Sequence, residues 1–478
     1  MATLYEQLAE ALAQRIHDGS LQPGERIPSV RQTCAQTQVS ASTVFQAYDL
    51  LESRGLIEAR PRSGFFVRKQ ARKAAPPAQA MPARADSTDV AISELVFDVL
   101  HSTRDRDVIP LGSAFPSPAL FPLDRLARDG ARAMRRLAPL SLTSELASGN
   151  ARLREALRAR CVRQGMQVGT DDPIITNGAM EALNLSLQAV TQPGDVVALE
   201  APTFYAALQS LERLHLKAVE IPTHPQLGVD PDGLTEVIQR HQVAACWLMP
   251  HFQNPLGALM PLARKQAVMH TLTQANIPVV EDDVYGELYH GSARPLPLKA
   301  FDREGLVLYC SSFSKCLAPG YRVGWAMAGR FSHQVHKLKM MSSLATSVPS
   351  QLAIAEYLEE GGYDRHLRQL RLALSESLAQ LRELVLRHFP KGTRVSRPDG
   401  GYFLWVQLPD QVDTLVLHRH ALAHGISTAP GALFSADQRF RSAMRLNGGH
   451  PRDARLAQAV RWLGDQAQAQ IEGQVQSR

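Results

Sequence analysis

The stretch that decides the fold is SSFSKCLAPGYRVGW, residues 311–325. It follows LVLYC, a short apolar run of the kind that forms a strand buried on both faces. It then leads through APG, a turn, into a second such run, YRVGWAMA (321–328). Between the two strands sit small hydroxyl residues and one lysine, Lys315. That lysine is either a loop residue at the surface or a functional group set at a strand end.

Outward from this stretch the same alternation recurs. DPIIT (172–176), DVVALE (195–200), KAVEI (217–221), AACWLMP (244–250) and IPVVEDD (277–283) are short, mostly apolar runs. Helical segments such as MEALNLSLQAV (180–190) and LARKQAVMHTLTQAN (262–276) lie between several of them. Apolar strands separated by helices predict the α/β class, with a mainly parallel sheet covered on both faces. After about Ser342 long helical patterns dominate. A second strand set, TRVSRP, GYFLWVQL, GISTAP and AMRLNG (393–448), predicts a smaller α+β domain. Ligands of open α/β sheets bind beyond the carboxyl ends of the strands, so the residues that follow each strand matter most. AACWLMP is followed by HFQNPLG (251–257), IPVV by EDDVYGE (281–287) and DPIIT by NGAMEAL (177–183). Asn254, Asp282, Tyr285 and a glycine-led helix start thereby join Ser312, Ser314, Lys315 and Arg322 in one convergent set.

Pyridoxal 5′-phosphate (PLP) requires such a set. Its aldehyde needs a lysine, and its pyridine nitrogen needs a carboxylate. Its phenolic oxygen needs neutral donors. Its phosphate needs hydroxyls, an arginine and helix N-terminal amides, and its ring needs an aromatic face. Each residue also has a plainer reading. Asp282 and Asp283 are candidate helix caps, and for Asp283 a cap is the expectation. Asn254 before Pro255 is a good turn former. Arg445 serves equally as half of a structural salt bridge. His251 reads as a loop residue near the site rather than a base, and Lys265 as a solvent-facing helix residue. Phe204 suits the core as well as a stacking role.

Residues of about 108–470 resemble fold type I PLP enzymes, specifically the class I and II aminotransferases. The resemblance is carried by SSFSK with APGYRVGW, by EDDVY, QNPLG, TNGAMEAL, EAPTFY and AMRLN, and by GGYFLW from Gly400. It implies that Lys315 forms the Schiff base. It implies that Ser312, Ser314 and Arg322 hold the phosphate, with backbone amides of Ala179 and Met180. Asp282 would meet the pyridine nitrogen, with Tyr285 and Asn254 on the phenolic oxygen. Phe204, or alternatively Tyr205, would stack on the ring. Arg445 would grip a substrate carboxylate. Lys315, Asp282 and Tyr285 are the implied catalytic residues.

The first 68 residues read as a separate unit. Leu4, Leu8, Leu12 and Ile16 recur at helical spacing. Val30–Gln36 predicts a second helix, Ser42–Arg54 a third, and LIEAR, PRSG and FFVRK two short strands around a tight turn. Residues 54–73 hold Arg54, Arg60, Arg62, Arg68, Lys69, Arg72 and Lys73 against Glu58 alone, which suits phosphate contact or a solvated linker. PGERIPSVRQ and VSASTVFQAYDLLESRGLIEARPRSGFFV resemble the GntR family of winged helix-turn-helix regulators. The resemblance implies double-stranded DNA as partner, with the helix from Ser42 in the major groove. Arg31, Ser40, Ser42, Thr43, Arg62 and Gly64 are its implied contacts. Many family members carry an arginine where this chain has Ala41, and another basic residue near Phe45, which puts the target sequence in doubt.

Residues 69–107, rich in Ala, Pro and Arg, are expected to be a flexible linker, within which ISELVFDVL (92–100) reads as a helix able to dock. The whole resembles the MocR subfamily of GntR regulators. It implies a homodimeric transcriptional regulator that senses an amine, an amino acid or PLP itself. The alternative is a working aminotransferase acting on an amino acid and a 2-oxo acid. The 478 residues carry a net charge of +6, 45% hydrophobic residues and five scattered cysteines without a C-x-x-C pair. That composition is ordinary for a globular chain and suggests neither a disulfide framework nor a zinc site. The N-terminus lacks the pattern of a signal peptide and no run is long enough to span a bilayer, so a cytoplasmic protein without membrane contact is expected.

Overall fold

The computed structural model describes residues 4–473 except 18–19, 23, 54–55, 61–62, 68–76, 85, 102–107, 138–147, 171 and 452–453. The chain divides into two compact units, Met1–Ala75 and Pro76–Arg478.

In the first unit, helices α1 (Leu4–His17), α2 (Val30–Thr37) and α3 (Ala41–Ser53) precede the antiparallel hairpin of β1 (Ile57–Arg60) and β2 (Gly64–Val67). Ser29 starts α2 by a reciprocal capping box with Gln32. Ser40 starts α3 by accepting the Thr43 amide at 3.2 Å. The helical stripe of α1 supplies Ala9, Leu12, Ala13 and Ile16 to a core with Val44, Ala47, Tyr48, Leu51, Ile57 and Val67. The one polar group in that core is satisfied, since the Tyr48 hydroxyl donates to Pro28 O at 2.6 Å.

The second unit is built on one large sheet with strand order β3-β6-β5-β8-β9-β10-β11-β4. These strands are β3 (Thr88–Asp89), β4 (Ile174–Thr176), β5 (Val196–Ala201), β6 (Lys217–His224), β8 (Val243–Leu248), β9 (Val279–Asp282), β10 (Val307–Ser312) and β11 (Gly324–Met327), with β7 (Gly228–Val229) paired to β6. The run β6-β5-β8-β9-β10 is parallel; β3, β7 and β11 pair antiparallel to their neighbours, and β4 antiparallel to β11. Successive residues of a strand enter opposite cores. Val197 and Leu199 face one, and Ala198 faces the other; Ile174 and Ile175 divide in the same way. Both faces are therefore covered, which is why the strands read as unbroken apolar runs.

The helices are α4 (Ser93–His101), α5 (Leu123–Arg135), α6 (Ala151–Arg163), α7 (Ala179–Val190), α8 (Tyr205–Arg213), α9 (Pro231–Arg240), α10 (Leu262–Ala275), α11 (Ser332–Ser342), α12 (Val348–Glu359), α13 (Gly362–His388), α14 (Thr414–Ala423) and α15 (Leu456–Ile471). The second strand set forms a small antiparallel sheet, β12 (Arg394–Val395), β13 (Phe403–Gln407), β15 (Ala443–Asn447) and β14 (Ala429–Pro430) in that order. With α13, α14 and α15 it encloses a core of its own.

One expectation changes here. The stretch read as a flexible linker, 69–107, is built into the second unit over its described second half. Thr88 and Asp89 pair with Ala218 and Lys217, and Ala78, Val90, Ile92, Val96 and Val99 are buried. Polar residues fasten the backbone as well. Gln407 exchanges two bonds with Gln79, and Glu220 accepts the Arg84 amide. Glu212 Oε2 accepts the Ile92 and Ser93 amides and the Ser93 hydroxyl, at 2.9 Å each. Composition counts apolar side chains and is blind to backbone donors, which do much of the docking. The α4 helix forms as expected.

Candidate functional site

The parallel strands all deliver their carboxyl ends to one edge of the large sheet. β4 points the same way, and β11 begins at that edge. The residues that leave the sheet there surround Lys315.

Lys315 follows β10 and is half-buried. Its Nζ donates to Ala114 O at 2.8 Å and lies 3.7 Å from the centre of the Phe115 ring. Burial, then the charge of Arg445, push its amine down to about 7, against the pull of Asp282. Asp282 ends β9 and is fully buried. Burial, then the neighbouring charge of Asp283, raise its carboxyl to about 7. Its Oδ1 has no hydrogen-bond partner among the described residues. Asn254 uses Oδ1 to accept from Arg445 at 2.9 Å, while its buried Nδ2 is likewise unpartnered. Tyr285 packs edge-on against Tyr402 and Phe403, and burial pushes its hydroxyl well up.

Beside this group lies a cradle of donors. α7 begins at Ala179 after Gly178, with no side-chain cap on its first amides. Arg322 donates to Asn177 O at 3.2 Å and to Ser314 Oγ at 3.4 Å, and Ser314 N donates to Ser312 Oγ at 3.3 Å. Gly178 has φ +79°, and a Cβ there would lie 2.4 Å from Arg322 Nη2. Only glycine allows the guanidinium to close on this helix start. Helix dipole, arginine and two hydroxyls together make an anion site.

Arg445, on β15, is completely buried, and no carboxylate is bonded to it among the described residues. Its Nη2 donates to Gly112 O at 2.7 Å and Ser113 O at 3.2 Å, and its guanidinium lies over Phe403 at 4.2 Å. Asn447, two residues on, donates to Ser113 O and Phe115 O. The Tyr402 hydroxyl donates to Ala114 O at 2.9 Å. Residues 112–115 thus form a strap whose carbonyls occupy Arg445, Asn447, Tyr402 and Lys315 together.

All the residues expected on this side stand around that edge. Phe204 precedes α8 with its ring 4.8 Å from Tyr205, which is more deeply buried and feels the charge of Arg445. Three plainer readings change. Lys265 does not face solvent: it is 2% exposed and its Nζ donates to His251 Nε2 and Leu296 O at 2.7 Å each. Asp283 is not a helix cap but a buried carboxylate bonded to His251, Arg294 and Tyr309. His251 is itself wholly buried. A signal for Lys265 existed, since it shares a helical face with buried Val268, Met269 and Leu272. The strap, Asn447 and Arg294 carried none.

In the N-terminal unit Arg31 is exposed on the first turn of α2. The Ser40 hydroxyl bonds those of Ser42 and Thr43 at 2.8 Å each, at the start of α3. Gly64 opens β2 with φ +95°. Arg62 lies outside the described residues. Among the described residues no helix is long and apolar enough to cross a membrane.

Residues 130–460 match the family described as aminotransferase class I and II, and residues 4–67 match the bacterial regulatory proteins of the gntR family. The chain is 45% identical to an uncharacterized HTH-type transcriptional regulator of Escherichia coli (strain K12), YdcR, over 98% of this chain and 99% of that one. It is 30% identical to aromatic-amino-acid aminotransferase 1 of Thermococcus litoralis, over 77% of this chain and 90% of that protein. The structure of the α-aminoadipate aminotransferase LysN of Thermus thermophilus, complexed with N-(5′-phosphopyridoxyl)-L-leucine, superposes with a TM-score of 0.72 at 30% identity. The match covers 80% of this chain and 100% of that one.

Proposed function

We propose that this chain, which belongs to the class I and II aminotransferases and carries a gntR-family domain in a MocR-type arrangement, is a DNA-binding transcriptional regulator that holds PLP at Lys315 and responds to an amino acid. The observation that carries this is a pair of buried, unpartnered atoms beside a lysine with a lowered proton affinity. Asp282 Oδ1 offers an acceptor and Asn254 Nδ2 a donor, as a protonated pyridine nitrogen and a phenolic oxygen require. The cradle of Ser312, Ser314, Arg322 and the Ala179 and Met180 amides fits the phosphate, and Phe204 the ring face. Bound there, PLP supplies an electron sink and a reactive carbonyl carbon.

This chain's residues supply the rest. Lys315, near neutrality at about 7, presents a free amine to that carbon. Asp282 holds a proton at the ring nitrogen. Arg445 is the group for a ligand carboxylate, but only when the strap yields the guanidinium. Ligand binding and strap displacement are therefore one event, and the strap is the element whose two positions report the ligand. In the N-terminal unit Arg31, Ser42 and Thr43 would meet phosphate and base edges, with Gly64 at the wing. The unit would act as a homodimer, in the cytoplasm where its DNA is.

The test is a spectral titration of the PLP-loaded chain with amino acids and amines, beside a gel shift on its own upstream DNA. A PLP absorbance band lost in Lys315→Ala, and a ligand-dependent change in DNA affinity, are expected. No band in either chain refutes the cofactor. A second reading, catalysis of amino-group transfer, is favoured by the titration range of Lys315, which suits a base that moves a proton at a ligand Cα. Steady-state turnover of an amino acid with a 2-oxo acid decides for it.

A further inference from the structure

Behind Asp282, away from Lys315, lies a buried polar cluster that the function above does not use. Its hub is Asp283. Asp283 Oδ1 accepts from His251 Nδ1 at 2.7 Å, and Oδ2 accepts from Arg294 Nη2 at 2.6 Å and from the Tyr309 hydroxyl at 2.8 Å. The proton positions follow from the donors. Lys265 is an ammonium that donates to His251 Nε2, so that nitrogen accepts and the imidazole proton sits on Nδ1, facing Asp283. Burial opposes the charge on Asp283, but His251 and Arg294 overcome it and hold the carboxyl far below the usual range. The backbone of Asp283 is clamped too: its N–H donates to Cys310 O at 2.9 Å, and its carbonyl accepts from Ser311 at 2.8 Å.

The placement gives this cluster its meaning. Asp283 is the residue after Asp282, and His251 is three residues before Asn254. The two groups left with unpartnered atoms at the ligand site are the chain neighbours of the two ends of this hydrogen-bonded pair. A carboxylate with three donors and a fixed backbone does not rotate, and neither does the strand end it belongs to.

We propose that Asp283, His251, Tyr309 and Lys265 are positioning residues: they lock Asp282 and Asn254, from behind the sheet edge, in register with the ring of bound PLP. The proposal rests on the cofactor assignment made above. The charged and titratable groups around the hub are Glu281 and Asp282 on β9, Glu287 beyond it, Lys265 on α10, Arg294 in the following loop, Tyr309 on β10 and Lys299 beyond that loop. Lys265→Met removes a cation from Glu281 as well as from His251, so its effect is mixed. Tyr309→Phe leaves every charge in place and removes one donor from Asp283, and is the cleaner variant.

The experiment is a pH titration of the PLP absorbance band in the loaded full-length chain, with PLP affinity and thermal unfolding measured beside it. Weakening the hold on Asp283 concentrates negative charge next to Asp282. The band's midpoint should rise by about half a pH unit in Tyr309→Phe, as expected when a like charge nearby is less well neutralised. PLP affinity should fall roughly tenfold, the loss of one hydrogen bond to a charged group. Lys265→Met should shift the midpoint in the same direction. Tyr309→Phe that binds PLP with an unchanged midpoint overturns the proposal and leaves the cofactor standing. Absence of any band in the unsubstituted chain overturns both. Should Lys265→Met fail to fold, Tyr309→Phe decides alone.

Discussion

The strap over Arg445 gives a quantitative prediction about which ligands this chain takes. A ligand carboxylate must replace the Gly112 and Ser113 carbonyls at the guanidinium. Those bonds have a charged donor but a neutral acceptor. A carboxylate makes them charged on both sides and adds the fork geometry, gaining roughly 1 kcal/mol per bond and about 2–3 kcal/mol for the pair. At about 1.4 kcal/mol per tenfold, an amino acid should bind the PLP-loaded chain about 30- to 150-fold tighter than the amine that lacks its carboxylate. The amino group contributes equally in both ligands and cancels. In Arg445→Lys the charge survives and the fork does not, so the ratio should fall below about fivefold. The assay is the same spectral titration, run with matched pairs of amino acid and amine. Equal affinity within a pair, or a ratio unchanged in Arg445→Lys, would refute the exchange of strap for ligand.

Three further outcomes are expected. Gly178→Ala forces a non-glycine residue to φ +79° and against Arg322, which costs about 1–2 kcal/mol from backbone conformation alone; PLP affinity measured by equilibrium dialysis should drop at least tenfold. His418 is buried and its imidazole is pushed down from 6.5 to about 4, chiefly by burial, so its folded form is neutral. The unfolded chain therefore binds the extra proton between those values. The contribution, about 3 kcal/mol, is present above pH 6.5 and is lost as pH falls towards 4, which urea unfolding at pH 7 and pH 5 should register. Arg31→Ala should weaken DNA binding in a gel shift and lower the salt dependence by about one ion if the contact is to phosphate; a binding curve identical to the unsubstituted chain at all salt concentrations would remove Arg31 from the interface.

Much of this was legible in the sequence, and the boundary of legibility has a physical cause. Lys315, Asp282, Asn254 and Arg322 were readable because parallel strands announce themselves as apolar runs, and ligand groups follow their carboxyl ends. The winged helix-turn-helix was readable because helix spacing, caps and a tight turn are all local signals. Lys265 was misjudged because its charge was given more weight than its helical face. Asp283 was misjudged because its partners, His251, Arg294 and Tyr309, come from three separate strand ends and loops. The strap over 112–115 had no signature at all. Every contact it makes to Arg445, Lys315 and Tyr402 is through a backbone carbonyl, a group that all residues share.

That last point bears on whether the site turns ligand over or only senses it. The strap is held by donors from four side chains, and each of them faces the ligand site. Turnover requires these donors to be released and recaptured in every cycle. Sensing requires only that they stay released while the ligand is bound. The bonds are short and the acceptors neutral, so recapture is easy once the ligand leaves and slow while a carboxylate competes. The strap also lies only a short span downstream of α4, which Glu212 and β3 anchor to the sheet. A displacement at residues 112–115 is thus transmitted along the chain towards its N-terminal side, into a segment fixed at one end. An enzyme needs no such attachment, whereas a regulator whose ligand site follows its DNA-binding unit in the chain has a use for it.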